Sequence, residues 1–115
     1  MANDVFCKII NNQIKADIIA ETDDWMAIRD IHPQAPIHIL VIPKKHIGGI
    51  ESSLEEDSEL LGKLLMAVKI VAQKIKLKNN GYRVVINQGS DGGQVVDHLH
   101  LHILGGKPLG PKIVV

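Results

Sequence analysis

Three histidines at alternate positions are the residues of this chain best suited to chemistry. They stand in the stretch His98-Leu99-His100-Leu101-His102-Ile103-Leu104. In a β-strand successive side chains point to opposite faces. This spacing therefore sets all three imidazoles on one side and Leu99, Leu101 and Ile103 on the other. Neighbours on one face stand about 6.5–7 Å apart, close enough to act together on one small anion. A helix would scatter them. A neutral imidazole is a nucleophile near neutral pH, and a protonated one stabilises an anion or donates a proton. One ring could attack phosphorus while its neighbours hold the phosphate oxygens, giving a phosphohistidine-type intermediate that water hydrolyses. The same spacing also suits Zn²⁺ bound through imidazole nitrogen. The chain has no Cys-x-x-Cys pair, however, and Asp97 falls on the face opposite the histidines of a regular strand.

The flanks fit an anion. Ser90-Asp91-Gly92-Gly93-Gln94 precedes the histidines, and glycines let backbone N–H groups close around a ligand. Asn87 adds a neutral donor. His38 lies within the apolar run Ile37-His38-Ile39-Leu40-Val41-Ile42, where it can orient a neighbouring imidazole. His32 and His46 read as loop histidines without chemistry. Lys44 and Lys45 read as a solvated turn, and Cys7 as a small core residue.

The positioning elements follow from pattern. A short helix is expected from about Val5 to Asn11, with Phe6, Ile9 and Ile10 on one side. Ile18-Ile19-Ala20 and Trp25-Met26-Ala27-Ile28-Arg29 read as a hairpin around Thr22-Asp23-Asp24. Pro33 and Pro36 make 30–36 a connection. Ile37 to Ile42 is a strand buried on both faces and closed by Pro43. Ser53-Leu54-Glu55-Glu56 matches a capping box. It opens a long helix to about Leu77, carried by Leu61, Leu64, Leu65, Val68, Ala72 and Ile75. Leu60, Ala67, Ile70 and Val71 widen that stripe, which points to contact with a second copy. Gly81 in Asn79-Asn80-Gly81 supplies a left-handed stop. Tyr82 to Asn87 is the fourth strand and Val95 to Leu104 the fifth. The tail from Lys107 reads as irregular. Short links require antiparallel pairing. The expected class is α+β, a five-stranded antiparallel sheet with one long and one short helix.

At 115 residues, of which 45% are apolar, the chain is expected to form one domain, 1–115, with a real core. Thirteen basic and thirteen acidic residues cancel, which leaves no electrostatic footprint for a nucleic acid. One cysteine excludes an internal disulfide and suits a reducing compartment. The N-terminus has no secretory pattern and no apolar run approaches a membrane span. The expectation is a cytoplasmic protein without a membrane partner.

His98 to Leu104 resembles the motif His-φ-His-φ-His-φ-φ, with φ apolar, of the histidine triad (HIT) superfamily. Several further stretches look like its Hint branch. They are Phe6-Cys7-Lys8-Ile9-Ile10, Asp30 with Pro33-Gln34-Ala35-Pro36, Val41-Ile42-Pro43-Lys44-Lys45-His46-Ile47, Asn87 with Ser90 to Gln94, and Gly105-Gly106. The resemblance implies a homodimer whose two sheets join into one. It implies hydrolysis of purine nucleoside phosphoramidates at the α-phosphate, with neither metal nor cofactor. His100 would be the nucleophile, His98 and His102 would support it and bind phosphate, and His38 would be the additional upstream histidine. Asp30 would accept from the ribose hydroxyls, Ile28 and Ile31 would border base and ribose, and Asn87, Gly93 and Gln94 would line the phosphate side. Three departures stand out. Val95 replaces a common serine near the phosphate, Asp97 replaces a frequent tyrosine, and the tail lacks a Trp-Pro-Pro-Gly-like ending. A nucleotide-binding or interaction module with little turnover is the alternative from another functional class.

Overall fold

Alternation of apolar residues assigns each strand face to one of two helices. The computed structural model describes residues 4–77 and 79–111. Its elements are α1 (Val5–Ile10), β1 (Ile18–Glu21), β2 (Trp25–Arg29), β3 (Ile37–Pro43), α2 (Ser58–Lys74), β4 (Arg83–Ile86) and β5 (Leu101–Gly105). The strands form one antiparallel sheet in the order β1-β2-β3-β5-β4. Trp25, Ala27, Ile39, Val41, Leu101 and Ile103 face α2, where Leu64, Ala67, Val68, Val71 and Ala72 complete the main core. Met26, Ile28, Leu40 and Ile42 face α1 and pack on Phe6 and Ile9. The expected fold class, both helices and the β1–β2 hairpin are all present. Among the described residues, no helix is long and apolar enough to cross a membrane.

Several boundaries differ from the sequence expectation for identifiable reasons. The fifth strand begins at Leu101, not Val95, so His98, Leu99 and His100 precede the ladder. The chain from 95 is held elsewhere: the Leu99 N–H donates to the Ile47 carbonyl at 2.6 Å, and the His98 N–H to the Val96 carbonyl at 2.9 Å. The fourth strand is trimmed to Arg83–Ile86. Ser53 forms no capping box, because its hydroxyl donates to the Ile50 carbonyl at 2.6 Å. Asp57 takes over by accepting from the Leu54 N–H at 2.9 Å, and Lys45 pairs with it at 2.6 Å. Lys45 therefore belongs to a helix-start ion pair rather than a free turn, and it holds the Asp57 carboxyl below its ordinary range.

The end of α2 is set by Lys76, not Gly81. Lys76 sits at φ +64°, and the Leu77 N–H reaches back to the Ala72 carbonyl at 2.8 Å, a Schellman closure. Leu65, assigned to the core stripe, is instead 60% exposed, together with Met66 and Ile70. Val84 and Ile86 of β4 are opposite Ile103 and Leu101, and so lie on the α2 side of the sheet. Beyond Gly106 the chain is irregular as far as Pro111. The rest of the tail, and residues 1–3, lie outside the described residues.

Ile103 is fully buried between two residues whose side chains turn the other way. Ile103→Ala is expected to lower stability by about 2–5 kcal/mol and Ile103→Val by about 0.5–1.5 kcal/mol. Urea unfolding with an unchanged m-value checks both.

Candidate functional site

A cavity of about 430 Å³ opens on the α1 side of the sheet. One wall is apolar, built by Val5, Phe6, Ile9, Ala16, Ile28 and Leu40. The other end gathers the polar groups. β3 contributes His38, β5 contributes His102, and the chain entering β5 contributes His100. Asp30 and Ile31 follow β2, and Asn87 and Gly93 belong to the loop after β4. The antiparallel register pairs Leu40 with His102 and His38 with Leu104, which sets the two histidines diagonally on one face.

Hydrogen bonds fix the tautomer of each neutral ring. The Gln34 N–H donates to His38 Nδ1 at 3.0 Å, so the His38 proton resides on Nε2. That nitrogen lies 2.8 Å from His102 Nδ1 and 3.3 Å from Asp30 Oδ2. His102 therefore accepts at Nδ1 and keeps its own proton on Nε2. His100 Nδ1 lies 2.7 Å from the His98 carbonyl, which can only accept, so Nδ1 donates and Nε2 retains its lone pair. Burial lowers all three rings from their ordinary value. His102 is pushed down to about 4 by burial and by its neighbours His100 and His38. Burial also lowers His100 and His38. Neutral imidazole is the favoured form at pH 7, as nucleophilic use requires.

The loop from 87 to 96 is tied into one shape. Asn87 Nδ2 donates to the Gly92 carbonyl at 2.6 Å. A Cβ at Gly92 would come within 2.3 Å of the Gln88 carbonyl oxygen, and Gly93 sits at φ +79°. Both positions therefore require glycine. Gln94 is spent bracing the loop, within itself and against Gly48. Its Nε2 donates to the Gly48 and Val96 carbonyls at 2.6 and 3.0 Å, and its Oε1 accepts from the Gly89 N–H at 2.9 Å.

The cavity thus brings together His100, His102, His38, Asp30, Ile28, Ile31, Asn87, Gly93 and Val95. It does not bring in His98 or Gln94. His98 shares the sheet side of the other two histidines, but it is fully buried behind Phe6. Its Nε2 donates to the Pro43 carbonyl at 3.0 Å. Its Nδ1 faces Asp4, Cys7 and His46, three residues to which sequence reasoning gave no site role. Asp4 Oδ2, Cys7 Sγ, His46 Nδ1 and His98 Nδ1 all lie 3.1–3.6 Å from one another. These are the residues that could hold a cation, since one thiolate, one carboxylate and two imidazoles suit tetrahedral zinc. Burial and the adjacent Asp4 push the Cys7 thiol up. Burial would raise Asp4 too, but the Cys7 N–H and His98 outweigh it and hold that carboxyl low. The spacing Asp4-x-x-Cys7 was the only local signal; His46 and His98 join it only through the fold. Asp30, His38 and His102 form a second such group within the cavity.

Comparison with known proteins agrees with this architecture. The HIT domain model matches residues 11–109. A HIT-like protein of Synechococcus elongatus is 51% identical over 91% of each chain. The crystal structure of a HIT family hydrolase from Legionella pneumophila is 48% identical, with a TM-score of 0.91 over 94% of this chain and 96% of that one. A histidine triad nucleotide-binding protein from Candida albicans is 32% identical, with a TM-score of 0.81 over 96% of this chain and 87% of that one. With its alternating histidines in the family's fold and its matched span covering most of the sequence, the chain belongs to the HIT family.

Proposed function

We propose that this chain is a purine nucleoside phosphoramidase that works by double displacement at the α-phosphate. The observation that carries this reading is the tautomer of His100. Its Nδ1–H is committed to the His98 carbonyl, which leaves a lone pair on Nε2 beside the cavity. In the first step, Nε2 forms a bond to phosphorus and the P–N bond of a protonated phosphoramidate breaks, releasing the amine. Water then attacks phosphorus, the N–P bond breaks, and a proton returns to solvent with the nucleotide. His102 presents Nε2–H to the phosphate oxygens, held in that tautomer by His38. Asn87 and the backbone at Gly93 flank the phosphate, and Asp30 accepts from ribose through its carboxylate. The purine lies on the apolar wall near Ile28 and Ile31. His98 serves indirectly, by giving its carbonyl to His100, and Gln94 by shaping the loop. The names of the Legionella hydrolase and the Candida nucleotide-binding protein support the same direction. No step calls for a metal or cofactor.

We assign the active form to a homodimer of one-domain chains in a reducing cytoplasm. The exposed Leu65, Met66 and Ile70 of α2, with Val84 and Ile86 on the outer strand β4, give an apolar patch on one side of the sheet. A second copy covering this patch lets the two β4 edges pair into one sheet. Sedimentation at micromolar concentration is expected to show a dimer, and Ile70→Lys to shift it to monomer.

His100→Ala is expected to remove turnover of a fluorogenic adenosine phosphoramidate by at least about a thousandfold while the protein stays folded. The wild type should gain the mass of one nucleotidyl group on rapid quenching. Full activity in folded His100→Ala would sink the mechanism, and AMP binding without wild-type turnover would return the binding-module reading.

Burial lowers the His100 pKa, so kcat/KM should stay level as pH falls through about 6.5, where free imidazole protonates. It should decline only at lower pH. A half-maximal point at 6.5 or above, measured with the same substrate, would contradict a neutral buried nucleophile.

A further inference from the structure

We propose that the cavity mouth at Val95 is a leaving-group subsite selective for apolar amines. The proposal rests on the phosphoramidase reading and adds a substrate class to it. Among the described residues, the two most exposed large apolar side chains are Val95, at 92%, and Ile31, at 85%. Both line the same cavity. Scattered exposed apolar residues are ordinary. Here the two most exposed of the described residues' large apolar side chains share one rim, and the cavity they border carries His38, His100 and His102.

The two residues serve different parts of a substrate. Ile31 follows Asp30 at the nucleoside end. Val95 follows Gly93 and Gln94 on the phosphate loop, with Val96 beside it. His100 lies on the floor and is 7% exposed. In-line displacement places the nucleophile and the departing atom on opposite sides of phosphorus. Attack from the buried floor therefore sends the amine outward, past the rim at the phosphate end, where Val95 stands. The lining residues supplied by this loop are Asn87, Gly93, Val95 and Val96, none of them charged. None of these four side chains offers a counter-ion to a charged substituent on the amine. An alkyl or aryl substituent covers the isopropyl group, and burial of apolar surface by about one methylene is worth roughly a fourfold preference.

The chemistry is that of the proposed reaction, with the P–N bond broken and the amine released, so no further reactant is needed. Three adenosine phosphoramidates test the subsite, with ammonia, n-pentylamine and 1,5-diaminopentane as leaving groups. The readout is the ratio of kcat/KM for the pentyl over the aminopentyl compound, in the wild type, Val95→Ser and Val95→Leu. Intrinsic leaving-group reactivity cancels when the ratio is compared between proteins. We expect a wild-type ratio of about ten, a fall of about fivefold in Val95→Ser, and a ratio held or raised in Val95→Leu. Turnover of all three compounds with a ratio near one, or with a ratio that Val95→Ser leaves unchanged, overturns the subsite and leaves the phosphoramidase reading intact. Failure of the wild type to turn over any of the three sinks both.

Discussion

Antiparallel pairing of β3 with β5 is the constraint on which the site depends. It sets Leu40 opposite His102 and Ile39 opposite Ile103, and with one register it decides two things. It builds the centre of the core against α2, and on the reverse face it brings His38 to within 2.8 Å of His102. A shift of one residue would turn every one of those side chains to the wrong side. The pairing is protected by position: both strands are internal to the sheet, and both are flanked by hydrogen-bonded neighbours.

From that pairing the polarity of the site propagates through backbone groups as much as side chains. The Gln34 N–H and the His98 carbonyl each dictate where one imidazole keeps its proton. A main-chain group cannot change its donor or acceptor character, so it is a dependable anchor for a ring that can. The side chains relay the choice: His38 hands it to His102, and His100 is set independently. Low-dielectric surroundings then keep all three rings neutral. Among the described residues, no buried side-chain nitrogen or oxygen lacks a partner, so every fully buried polar atom of the network is paired.

Much of this was legible in the residues themselves. The period-two alternation from His98 to Ile103 correctly sorts imidazoles from core residues, because it reports sidedness. It does not report where the ladder begins, and so it predicts a strand longer than the one that forms. That start depends on the partner strands and on Leu99 being captured by Ile47. The alternation puts His98 with the other imidazoles, and the family resemblance implies a phosphate-side place for both His98 and Gln94. The fold instead uses them as a buried acceptor-donor pivot and a loop brace. The sequence does not mark Asp4, Cys7 and His46 as partners of His98, because their meeting is made by tertiary contacts between residues as many as 94 positions apart. Lys76 could not be picked out as the left-handed residue, since nothing in a lysine marks it for that conformation.

The interleaving of site and core along a single stretch has a consequence for how such a chain can change over generations. In 98–103, every second residue carries an imidazole and the alternate ones pack in the core, so no block of this segment can be exchanged without disturbing both. Insertions or deletions of a single residue are closed to it. Variation is pushed outward, to the rim at Val95 and Ile31 and to the exposed surface of α2. Diversification of what the protein accepts, or of what it assembles with, can proceed there while the histidine segment stays fixed.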